Sequence, residues 1–182
     1  MIRPFVSSDV EALARVYRDA VRTIAPQAYT AEQVSAWALF PDDIDDFSMR
    51  MGRGVTLVAE EAGHIVAFGQ FEPDDHLDFL YCCGDASRKG IGSAIYRVLE
   101  AHAMTKGVLE IHTEASRISR PFFEKHGYLV VEVEHVIRFD VEFERFRMTK
   151  NIPANQAPER NDPSRHAGCC APVAPAGVVA QL

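Results

Sequence analysis

The residues best able to do chemistry lie in one stretch, 77–95, which reads LDFLYCCGDASRKGIGSAI. An apolar strand runs into a basic, glycine-punctuated turn, and the turn opens directly onto an amphipathic helix. Such a turn presents backbone N–H groups at a helix N-terminus, where the macrodipole adds partial positive charge, so a phosphate or diphosphate binds there with little help from side chains. Carboxylates and an imidazole precede it: Glu72, Asp78 and His76 lie on or beside the incoming strand, in reach of proton-transfer work. Cys82 and Cys83 end that strand and point to opposite faces. Neither this pair nor Cys169-Cys170 has C-x-x-C spacing or a nearby histidine, so no metal site is expected and the cysteines read as small core residues of a reduced, cytoplasmic protein.

Two familiar phosphate-binding patterns fail on spacing. G-x-x-x-x-G-K-[ST] places Lys89 where its second glycine belongs, and Ser93 follows Gly92 rather than a lysine. A dinucleotide fingerprint starting at Gly90 has Ile95 at its third glycine, and no βαβ unit opens the chain.

The elements that must position the turn follow from periodicity and punctuation. Residues 2–6 read as a strand, and Ser8 with Glu11 as a capping box for a helix that Pro26 ends. Thr30 with Gln33 repeats the signature for a short helix carrying Trp37, and 41–51 is an acidic third helical piece. Strands are expected at 55–60 and 64–71, joined as a hairpin, then at 76–83. A helix follows Gly90 and closes at Gly107; a strand at 108–113, a helix at 119–126 and antiparallel strands at 128–139 and 141–148 complete the order. The fold class is α/β of the α+β kind, a mixed sheet with helices laid against it. From 151 to 182 the composition shifts to proline and alanine without period, which reads as a disordered tail after a domain at 1–150. The chain of 182 residues suits one such domain. Its formal charge of −7 opposes a nucleic-acid binder, and the absence of a long apolar run opposes a membrane span. Basic residues are local, at Arg88-Lys89, as for a small anionic ligand.

Residues 80–95 resemble motif A of the GNAT superfamily of acetyl-CoA-dependent N-acetyltransferases, a strand, a Q/R-x-x-G-x-G/A turn and a helix. Downstream, 119–128 (SRPFFEKHGY) resembles the motif B helix, A-x-x-F-Y-E-K-x-G-F, at a fitting distance and in a fitting element order. The resemblance implies a mostly antiparallel, twisted sheet of about seven strands with helices on both faces. It implies acetyl-CoA as cosubstrate, its diphosphate on the N–H groups of Arg88, Lys89, Gly90, Ile91, Gly92 and Ser93. Tyr81, Cys82 and Cys83 would pair with the pantetheine amides like an added strand. The thioester would enter between this strand and 108–113, flanked by Ser116, Phe122 and Phe123.

The resemblance further implies direct transfer of an acetyl group to a primary amine in a ternary complex, a small-molecule amine ahead of a protein one, with a homodimer as an open assembly. Glu72 ranks first as general base, at a strand end where family members carry one, and Asp78 second. Two positions depart from the motifs. Ser87 replaces the Q/R side chain, and Phe123 stands where the motif has a tyrosine that protonates the leaving thiolate. Tyr81 would replace that acid if its side chain faced the cleft; a purely packing role competes, as it does for His102 and His112. Tyr29 and Trp37, amid Asp42, Asp43, Asp45 and Asp46, suit a cationic acceptor. An acetyl-CoA sensor without turnover is the alternative that Ser87 and Phe123 keep open; a structural role for the tail has no motif behind it.

Overall fold

The computed structural model describes residues 1–153, so the tail expected at 151–182, with Cys169 and Cys170, lies outside the described residues except for its first three positions. Those three belong to the domain: Asn151 closes the last strand, and Ile152 is buried with its N–H donating to Leu109 O.

The elements run β1 (Ile2–Pro4), α1 (Val10–Ile24), α2 (Ala31–Trp37), α3 (Ile44–Met51), β2 (Val55–Glu61), β3 (His64–Phe71), β4 (Leu77–Cys82), α4 (Ile91–Thr105), β5 (Glu110–Ala115), α5 (Arg120–Lys125), β6 (Leu129–Arg138) and β7 (Val141–Asn151). Strands pair antiparallel in two groups, β1-β2-β3-β4 and β5-β7-β6. The groups meet where His76 bridges His112 in parallel sense, with His112 N–H donating to Asp75 O and Thr113 Oγ1 to Leu77 O. Beyond that seam β4 and β5 share no ladder. The seven strands therefore form one surface, joined at the start of β4 and open at its end.

Helices cover both faces. On one, α1, α2 and α3 bury Leu13, Tyr17, Trp37 and Phe47 against Phe68, Phe79 and Tyr81; on the other, α4 and α5 bury Ile95, Leu99 and Phe123 against Leu77, Leu80 and Met148. From Phe79 to Cys82 successive residues of β4 thus serve opposite cores, as strand geometry requires, and the register shift opposite Phe71 puts Leu77 on the same side as Leu80. Helix α4 reaches the sheet at Gly69, where an added Cβ would lie 2.8 Å from Ile95 Cγ2.

Helix starts follow local polar chemistry with one difference from expectation. Thr30 and Gln33 cap α2 reciprocally. At α1 the N-cap position is Asp9, not Ser8, and its carboxylate caps no helical N–H: it accepts the Val6 N–H of the preceding turn and pairs with Arg3 of β1. Among the described residues no helix is long and apolar enough to cross a membrane.

Candidate active site

The turn between β4 and α4 has the form its sequence predicts. Gly90 sits at φ +84°, a left-handed conformation open to glycine, and caps α4 without a side chain. The first helical bond runs from Ala94 N–H to Gly90 O, so Ile91, Gly92 and Ser93 have N–H groups with no intrahelical acceptor. Arg88 is also left-handed at φ +59°, a strained geometry for a residue with a side chain. A Cβ at Gly90 or Gly92 would meet nothing within 4 Å. The turn is an open cradle of unsatisfied donors on a helix dipole, a fit for a diphosphate.

The cradle leads into the gap between β4 and β5. Cys83 N–H donates to Val66 O, toward β3. Donors alternate along a strand, so the N–H groups of Leu80 and Cys82 face away from β3, into the gap. A cavity of about 250 Å³ lies along this edge, lined by Leu80, Tyr81, Cys82, Ser87, Arg88, Gly90, Gly92 and Ser93 on one side and by Ile24, Ile118, Ser119, Phe122 and Phe123 on the other. The free strand edge, the cradle and an apolar wall thus line one slot, as an extended pantetheine with a charged end requires.

Across the sheet lies a second cavity of about 260 Å³, walled by the rings of Tyr17, Tyr29, Trp37, Phe40 and Phe143 with Arg50, Arg138, Glu144 and Arg145. The rings of Tyr81, which lines the slot, and Tyr17, which lines this chamber, have centroids 4.5 Å apart. These two tyrosines separate the cavities.

The predicted site residues divide between the two. Tyr29 and Trp37 pack edge-to-face in the chamber wall, and the Tyr29 hydroxyl accepts the Arg117 N–H. The aspartates expected beside them line neither cavity; Asp43 instead accepts the N–H groups of Asp45 and Asp46 at the start of α3. Phe122 and Phe123 wall the slot, but Ser116 is buried in a reciprocal turn with Ser119, and Ser119 is the residue that reaches the cavity. Cys83 faces α1, while Lys89 and Ile91 lend the turn only their backbone.

Glu72 is not brought to the slot. Phe71 pairs with Leu77 and Ala67 with Cys82, so Glu72 lies past the closed end of β4. Roughly 17 Å of strand, at about 3.3 Å per residue, separates that end from Cys82. Asp78 is nearer: buried on the chamber side, it holds Arg50 of the chamber wall in a bidentate pair at 2.9–3.1 Å. Burial raises its pKa above the ordinary 3.8, against the opposing pull of Arg50 and His76. Tyr81 is fully buried, and its hydroxyl makes no hydrogen bond of normal geometry although Tyr17 and Trp37 lie beside it. Burial holds its pKa well above 10.0, so it stays protonated. Burial likewise pushes the Cys82 thiol up to about 12 and Cys83 to about 11, which removes both as nucleophiles near neutrality.

At the seam, His76 Nδ1 donates to Glu72 O and Nε2 to Glu114 Oε2 at 2.8 Å, with the ring stacked on His112. Burial disfavours the imidazolium, but Glu114 and the charge of Asp78 outweigh it and raise the pKa above 6.5. Burial likewise opposes ionisation of Glu114, but His76 outweighs it and the Glu114 pKa falls below 4.5. The signs define a window. The imidazolium's contribution is complete below pH 6.5 and is lost as pH rises through the raised value; the carboxylate's is complete above 4.5 and is lost as pH falls through the depressed one. Denaturation midpoints should therefore peak between these values, and Glu114→Gln should flatten the alkaline decline. An unchanged decline in that variant would place its origin elsewhere.

Sequence reasoning missed Leu80, whose gap-facing N–H depends on pairing, and the chamber arginines, which read locally as ordinary helix and strand positions. No spacing signal marks them.

Comparisons with known proteins place the fold. The Escherichia coli protein YafP, described as an uncharacterized N-acetyltransferase, is 27% identical over 135 residues, covering 74% of this chain and 85% of its own. A GCN5-related N-acetyltransferase structure from Rhodopseudomonas palustris superposes with a TM-score of 0.81 at 28% identity, covering 84% and 95% of the two chains. PaiA N-acetyltransferase of Thermoplasma acidophilum, solved in complex with coenzyme A, gives 0.69 at 20% identity over 84% and 98%. Residues 25–150 match the profile of the acetyltransferase (GNAT) domain, and the chain belongs to that family of acyltransferases.

Proposed function

We propose that this protein transfers the acetyl group of acetyl-CoA directly to a primary amine of a small molecule, in the cytoplasm. The observation that carries the reading is the continuity of the donor cradle at 88–93 with the β4–β5 gap, beside a ring-walled chamber for an acceptor. Acetyl-CoA, when bound, supplies the acyl group as an activated thioester.

The chain's own residues do the rest. Backbone N–H groups at Arg88 to Ser93 hold the diphosphate, and those of Leu80 and Cys82 hold the extended arm and polarise a carbonyl oxygen. The buried hydroxyl of Tyr81 is the proton donor that Phe123 cannot be, because burial keeps its proton on and the residue lines the slot. Asp78 receives the amine proton from the chamber side, its basicity raised by burial. With both thiols protonated, no acyl-cysteine route competes, and the two substrates must be bound together.

Initial rates of thiol release, with acetyl-CoA and amine varied together, should give intersecting double-reciprocal lines. Parallel lines would replace direct transfer with a covalent route. Acetyl-CoA binding without release for any amine would support the sensor.

A further inference from the structure

Deepening that reading, and resting on it for the amine, we propose that the acceptor carries a carboxylate, held by Arg138 in the ring-walled chamber. A cationic amine is what the neighbouring aspartates suggest in sequence, yet the charges that reach the cavity are mostly arginines. Three of the four charged side chains there are neutralised within the protein: Arg50 by Asp78, Arg145 by Glu134 and Glu144 by Arg117. Arg138 forms no ion pair among the described residues, and its Nε is buried without a hydrogen-bond partner. An unmatched guanidinium among rings is costly, and a ligand carboxylate is its natural bidentate complement.

The same charge explains how an amine becomes reactive here. Burial, then the charges of Arg145 and Arg50, push the Arg138 pKa down, so the cavity is a positive environment. A positive environment also disfavours an ammonium and favours the neutral amine that attacks. Ligands with only cationic groups meet repulsion, whereas an amino acid with an apolar or aromatic body offsets the charge while its side chain fills the space between the rings.

The test separates this inference from the transfer reading by including a ligand that cannot react. Binding of 3-phenylpropionate and of 3-phenylpropanol to the full chain is measured by calorimetry. The acid should bind about 10- to 100-fold more tightly than the alcohol, the range of one charge-assisted contact, and Arg138→Met should erase the difference while keeping wild-type affinity for CoA. Equal binding of acid and alcohol, or an unaltered preference in Arg138→Met, would overturn the carboxylate site. In parallel, thiol release is compared for phenylalanine, tryptophan and leucine against their decarboxylated amines, with the amino acids expected to lead in kcat/KM by a similar factor. Decarboxylated amines turned over as well as the amino acids would sink the inference and leave the transferase standing. Selective acid binding with no release from any amine would do the reverse.

Discussion

Gly92→Glu should weaken CoA binding at least 100-fold, on the order of what losing two charge-assisted backbone contacts costs, with a melting temperature close to wild type. The position separates folding from binding. A side chain at Gly92 meets no protein atom within 4 Å, and its backbone is not left-handed, so nothing in the fold resists it. The added carboxylate would stand in the mouth of the cradle, where it repels a diphosphate and covers the N–H groups of α4's first turn. Gly90→Glu would also abolish binding, but at φ +84° it strains the turn itself, so the two causes would merge. Gly92→Ala should lose far less than the glutamate. Calorimetric titration with CoA reads the result; affinity within threefold of wild type in Gly92→Glu would remove residues 88–93 from the cofactor site.

Asp78→Asn should lower kcat about 100-fold, the lower range for loss of a positioned base, while sparing CoA affinity. The wild-type rate should rise with pH through the Asp78 pKa, above 3.8, because the carboxylate must be ionised to accept a proton. In Asp78→Asn that limb should vanish, leaving only the rise from deprotonation of the acceptor. Stability should fall too, by about 3 kcal/mol, because the half-buried Arg50 guanidinium loses its carboxylate. The pH profile is the decisive readout, since a purely structural loss would lower the rate without removing the limb. Glu72→Gln is the natural control: at the closed end of the sheet it should leave the profile intact.

Much of this was legible because it is local. The strand-turn-helix of 77–95, the reciprocal cap at Thr30 and Gln33, and the glycine at the left-handed position depend on residues within a few places of one another. Backbone sterics and near-neighbour hydrogen bonds are sufficient to define such features. The cradle residues could thus be named from the chain alone. The lengths of flanking strands shifted by only two residues or so, as at β5, which begins at Glu110 rather than 108.

Tertiary structure decided what faces what. Glu72 and Asp78 are near neighbours in sequence, but the β3–β4 register carries one past the closed end and turns the other toward Arg50, 28 positions away. The four aspartates around the start of α3 looked like an acceptor-binding surface; folding gave Asp43 to a helix cap and brought Arg138, about ninety residues further on, to the chamber instead. A strand position acquires its partner only when sheets pair and helices dock, and that pairing minimises energy over the whole core rather than over any window of sequence.

A donor-lined bay could therefore be written into nineteen consecutive residues, whereas the charged, ring-walled chamber across the sheet had to wait for distant strands to assemble around it. The physical difference is range: main-chain geometry is settled by adjacent residues, and charge complementarity by neighbours in space.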